Sequence, residues 1–191
     1  MKKGALLLFL GLLLPTVVWA HESVPVGGFI SGLSHPVLGF DHLLAMVSVG
    51  ILSAQIGGRA IWTIPATFVG VMLLGGVLGI KGIPWFSVEV GIAFSVFALG
   101  VALAADKKVP FLFTMIFVGV FAIFHGHAHG TEMPDLAKPM LYAFGFVIGT
   151  TGIHIAGVLI GVLSKKIEHG PQLLRYLGAG IAGIGFHLLV M

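Results

Sequence analysis

The chain contains no cysteine, which excludes both a disulfide scaffold and any thiolate metal site. Charge is nearly as scarce. Only 9% of the 191 residues are charged and 58% are hydrophobic, whereas soluble domains carry about a quarter charged residues. That balance excludes a water-soluble fold. The net charge of +3 is spread over short connections without forming a basic stripe, so nucleic acid is not an expected partner. No Walker sequence or other nucleotide-binding signature is present, so the chain itself does not hydrolyse ATP. Any metal must be held by histidine, carboxylate or methionine.

Glycine, by contrast, is abundant: 29 residues, placed inside apolar runs as helix-packing positions rather than in polar linkers. Residues 1–20 have the three-part form of a secretory signal. Lys2 and Lys3 precede the apolar run from Ala5 to Leu14, and Val18-Trp19-Ala20 offers a cleavage position. The reading is a signal peptide over 1–20, cut after Ala20, and a single membrane domain over 21–191. An uncleaved first helix is the alternative, and both readings place residue 21 outside.

A span needs about 20 mainly apolar residues. Gly, Pro and charge divide the mature chain into such pieces near 36–54, 61–80, 84–105, 109–129, 138–163 and 173–190. The expected fold is therefore an all-α membrane protein, a six-helix transmembrane bundle, because backbone groups in hydrocarbon must be paired internally. Arg59, Lys107, Lys108, Lys165, Lys166 and Arg175 fall on inner connections, while only Lys81 and Lys138 fall on outer ones. This satisfies the positive-inside rule and predicts a bacterial inner-membrane protein with both mature termini on the periplasmic side. Gly75 with Gly79, Gly145 with Gly149 and Gly157 with Gly161 are small pairs at the spacing that lets helices approach.

Ionisable residues inside a span cost roughly 2.5–3.5 kcal/mol each on insertion scales. Several are nevertheless present. His35, Asp41 and His42 occupy the outer part of span one, Glu89 the start of span three, and His125, His127 and His129 the end of span four. Glu132 and Asp135 follow in the outer loop, and His187 lies near the outer end of span six. Separate segments thus converge on one membrane depth.

His125, His129 and Glu132 are at i, i+4 and i+7 and form one chelating stripe on a continuous helix. His127 points the other way unless Gly126 and Gly130 loosen the helix there. Pro36 suits a first helical turn, which makes His35 a cap-like residue above the bundle. On a continuous span His42 then lies about two turns from His35, which predicts successive stations rather than one shared ion. Asp41 is either a ligand or the acceptor that fixes the tautomer of a ligating imidazole. Glu89 and His187 also fit headgroup-level or packing roles, His169 belongs to a solvated inner loop, and Met46 is a packing residue. His154, in the middle of span five beside Gly149 and Gly152, is placed to receive an ion from the outer cluster. After cleavage His21 would combine its α-amine and imidazole as a chelating lid, with Glu22 beside it.

Two strings carry a resemblance. HPVLGFDHLLAM, residues 35–46, has the form H-x5-D-H, and FHGHAHGTE, residues 124–132, has the form F-H-G-x-[AV]-H-G-x-E. With the signal segment and six spans, the chain resembles the HupE/UreJ family of nickel and cobalt permeases over essentially its whole length. The resemblance implies that His35, Asp41, His42, His125, His129 and Glu132 serve metal recognition or passage, with His127 at the variable position of the second motif. It further implies a secondary permease with Ni²⁺ or Co²⁺ as transported substrate, no prosthetic group, and indirect supply of hydrogenase, urease or cobalamin synthesis.

Imidazole and carboxylate suit several divalent ions, so the residues alone do not choose nickel over cobalt. Two rival readings stay open on sequence. One is an intramembrane metal-dependent hydrolase or oxidase, with Ser31 and Ser34 near His35 as candidate groups. The other is a haem-binding membrane subunit with axial histidines on separate helices.

Overall fold

The computed structural model describes residues 28–107, 109–133 and 138–191. The signal segment, its Ala20 cleavage position, His21, Glu22 and Asp135 lie outside the described residues. Among the described residues every regular element is an α-helix: α1 (Gly28–Leu38), α2 (Phe40–Ile56), α3 (Ala60–Ile80), α4 (Val88–Ala105), α5 (Phe111–Thr131), α6 (Pro139–Ser164) and α7 (Gly170–Val190). Helices α3 to α7 are each long and apolar enough to cross a membrane, and α1 with α2 supply a sixth crossing if that bent pair is one span. The chain is thus a multi-pass membrane protein. The predicted spans for α3 to α7 differ from the helices by about a turn or less at their ends.

The first span departs from expectation. Instead of one helix beginning at Pro36, α1 and α2 meet at Gly39 with a bend of 80°. Pro36 lies inside α1, where it has no N–H for the Gly32 carbonyl, and the helix stops at Leu38. Gly39 is extended, at φ −84° and ψ 107°, and opens α2. Its carbonyl accepts from the Leu43 N–H at 2.8 Å. A Cβ at Gly39 would stand 3.0 Å from His42 Nδ1, so the missing side chain lets the imidazole fold back over the break. His35 is consequently in the last turn of α1 rather than above the bundle.

Glycines set the helix pairing. Gly75 and Gly79 of α3 interlock with Gly126 and Gly130 of α5, each facing a carbonyl where a Cβ would collide. Gly126 and Gly130 therefore serve close approach, and α5 runs unbroken to Thr131 instead of loosening at His127. Helix α6 receives both halves of the bent pair: Gly145 and Gly149 take α1, while Gly157 and Gly161 take α2. Gly100 of α4 and Gly178 of α7 make the third close pair. Without a hydrophobic drive between helices in lipid, such backbone contact supplies van der Waals packing that larger residues would prevent. Met46, Phe68, Met72, Leu99 and Leu103 fill the interior between these pairs.

Basic side chains gather at one end. Lys165 donates to the Ala54 carbonyl at 2.7 Å and Arg175 Nε to the Ala104 carbonyl at 3.0 Å. These cations meet the negative ends of α2 and α4. Arg59 sits 4.5 Å over the Phe111 ring at the same end. The histidine-rich ends of α1 and α5 are at the other.

Candidate metal centre

The break at Gly39 brings both histidines of the first motif to the second. His35 on α1 and His42 on α2 flank His129 on α5, with ring centroids 4.8 and 4.2 Å away. His42 also meets His125, one turn earlier on α5, at 4.8 Å edge-on. Glu132 caps the cluster, its Oε2 3.0 Å from His35 Nε2. Ligand atoms of His35, His129 and Glu132 all lie within 4.8 Å of one another, close to what an ion at about 2.0–2.2 Å from each donor requires. The two-turn separation expected on a straight helix is replaced by a shared neighbour. Exposure falls along the cluster: the Glu132 side chain is 50% exposed and that of His35 23%, whereas His129 is buried and His125 fully so.

Hydrogen bonds settle which nitrogens are free. Asp41 Oδ1 accepts from the His42 backbone N–H at 2.8 Å and from Nδ1–H at 2.9 Å. A carboxylate only accepts, so Nδ1 carries the proton and Nε2 presents its lone pair. The Ser95 hydroxyl donates its one proton to the Ile92 carbonyl at 2.7 Å. Its 2.9 Å contact with His125 must then be accepted from Nε2–H, which leaves Nδ1 bare. His154 likewise gives Nδ1–H to the Thr150 carbonyl at 2.8 Å and keeps Nε2 free. These three freed nitrogens, and both nitrogens of His129, are buried with no partner among the described residues. Buried polar atoms are nearly always bonded, so a run of bare imidazole lone pairs calls for a ligand that accepts them. An imidazole whose second nitrogen donates to a carboxylate or carbonyl is the usual form of a metal ligand.

The remaining candidates lie elsewhere. His127 turns away from the cluster and donates from Nε2 to the Ile83 carbonyl at 2.8 Å, which ties the α3–α4 connection to α5; its Nδ1 is also buried without a partner among the described residues, but it adjoins none of the cluster rings. Glu89 is exposed in the first turn of α4, and His187 is exposed in the last turn of α7. His169 is exposed, as expected of an inner-loop residue, and Met46 belongs to the core. His154 on α6 shares a neighbour with His125, the Phe68 ring, whose centroid is 5.5 Å from His125 and 5.1 Å from His154. Sequence reasoning missed Ser95 and Phe68. A serine bonded within its own helix and one of 15 phenylalanines carry no mark of a role in the linear chain.

The pattern described as HupE / UreJ protein matches residues 7–188. The chain belongs to the HupE/UreJ family. Protein HupE of Rhizobium leguminosarum bv. viciae is 42% identical over 180 residues, which cover 94% of this chain and 93% of that protein. No solved structure matches the chain. HupE/UreJ proteins form a nickel and cobalt transporter family, so the chain is a membrane transporter and not an enzyme. Membership sets aside the hydrolase and oxidase readings.

Proposed function

We propose that the chain is a secondary permease that imports Ni²⁺, with Co²⁺ as a second substrate, through a histidine and carboxylate site at the outer face of the bacterial inner membrane. The observation that carries the reading is the shared position of His129. It joins an outer triad with His35 and the exposed Glu132 to a buried set with His42 and His125. An ion arriving from outside exchanges water first for the exposed carboxylate and imidazoles, then for buried imidazoles, so dehydration proceeds in steps. Asp41 and Ser95 act by holding ring protons away from the passing ion. The metal is substrate, with no prosthetic group.

Six crossings, a cleaved signal peptide over 1–20, and a domain over 21–191 with both termini outside complete the reading. The grouping of Arg59, Lys165 and Arg175 at the end away from the histidines supports that orientation. Delivery of metal to hydrogenase, urease or cobalamin synthesis follows as the downstream use. Uptake of radioactive Ni²⁺ into proteoliposomes, with Co²⁺ and Zn²⁺ as competitors, tests the function. Saturable accumulation that Co²⁺ competes for, and that His129→Ala abolishes, is expected. Accumulation by the wild type no greater than in empty vesicles would overturn it.

A further inference from the structure

The bare nitrogens do not end at His125. His154 has the same preparation, one nitrogen committed to a backbone carbonyl and the other buried and unpartnered, yet it is on α6, which carries none of the outer-cluster histidines. Phe68, completely buried, packs its ring against the imidazoles of both His125 and His154. A phenyl ring offers a divalent ion no ligand. A phenyl ring in contact with two lone-pair donors is an apolar obstacle of the kind that gates ion passage.

Helix α3, which carries Phe68, is locked by glycines to α5 on one side, but towards α6 it borders a crevice of about 490 Å³ lined by Ile61, Trp62, Pro65, Ala66, Thr151 and His154. Pro65 lies inside α3 one turn before Phe68, and a proline there cannot donate to the Ile61 carbonyl. Thr63 and Thr67 also bond back to the Arg59 and Thr63 carbonyls at 3.0 and 2.8 Å, which favours bending of the same segment. The half of α3 below the glycine contact is therefore its deformable half.

We propose that Phe68 is the gate of the translocation path, closed in this structure between the outer cluster ending at His125 and an inner metal station at His154. The inference rests on the transport reading above and adds to it a barrier and a receiving ligand. Opening requires the ring to leave its contact with the two histidines, by rotation or by flexing of α3 at Pro65. The barrier then sets the rate of passage and leaves outer-site affinity alone.

Two readouts separate these effects: equilibrium Ni²⁺ binding by calorimetry on purified full-length protein, and initial Ni²⁺ uptake in proteoliposomes. Phe68→Ala should raise the uptake rate by about tenfold and Phe68→Trp should lower it by about tenfold, as expected when a conformational gate limits turnover. His154→Ala should slow uptake by a similar factor. The two Phe68 variants should keep Ni²⁺ affinity within about threefold of the wild type, and His154→Ala should keep that affinity at the outer site while losing the inner one, since the outer ligands are intact. Phe68→Leu, which preserves most of the buried volume, serves if Phe68→Ala does not fold, and should also be faster than wild type. Uptake by Phe68→Leu no faster than wild type, or outer-site affinity lost in proportion to uptake in His154→Ala, would overturn the gate and station. Wild-type protein that neither binds nor accumulates Ni²⁺ would instead remove the transport reading itself.

Discussion

Replacing Ser95 with alanine takes the acceptor away from a completely buried histidine. His125 is fully buried, and the Ser95 oxygen at 2.9 Å is the partner that holds its proton on Nε2. After substitution the ring has two options. It can keep its tautomer and leave a buried donor unpaired, at about 1–3 kcal/mol. Or it can shift the proton to Nδ1, which removes the lone pair left free for a metal ion. Both weaken the inner half of the metal site, and loss of a group that orients a ligating histidine typically costs about 10–100-fold in metal affinity. That range corresponds to about 1.4–2.7 kcal/mol. Calorimetric titration of Ni²⁺ into purified wild type and Ser95→Ala, with a melting curve of each apo protein to control for folding, reads the effect directly. Affinity within twofold of wild type in a folded variant would refute the assignment of Nδ1 as a ligand.

His127→Ala should leave Ni²⁺ affinity unchanged while removing the bond to the Ile83 carbonyl. The loss, about 1 kcal/mol, should appear as a lower melting temperature in detergent. An affinity loss matching that of His129→Ala would instead place His127 among the ligands. Gly126→Ala sets a methyl group against the Met72 carbonyl in the α3–α5 contact. Overpacking of this kind costs about 1–3 kcal/mol or more, visible as reduced thermal stability and yield. Gly152→Ala, in the same kind of apolar helix but with nothing within 4 Å of the added carbon, should be neutral or stabilising. Equal melting of the two glycine variants would show that close approach does not govern the fold.

Much was legible in the linear chain because bilayer physics acts locally. Low charge and apolar runs suffice to mark the spans α3 to α7, and the cost of intramembrane His and Asp marks the candidate site residues without reference to their partners. The i, i+4 and i+7 spacing of His125, His129 and Glu132 also follows from one helix alone. What tertiary structure decided is every relation between helices. Gly39 reads as an ordinary residue of a continuous span, and only packing of α1 and α2 on the two glycine pairs of α6 makes an 80° bend there that joins His35 and His42 to His129. The direction of His127 follows from α5 staying helical against α3, and the roles argued for Ser95 and Phe68 depend on which helix faces theirs. Local propensity and hydropathy carry no term for a neighbour distant in sequence, whereas backbone approach at glycines and the pairing of buried polar atoms depend on nothing else.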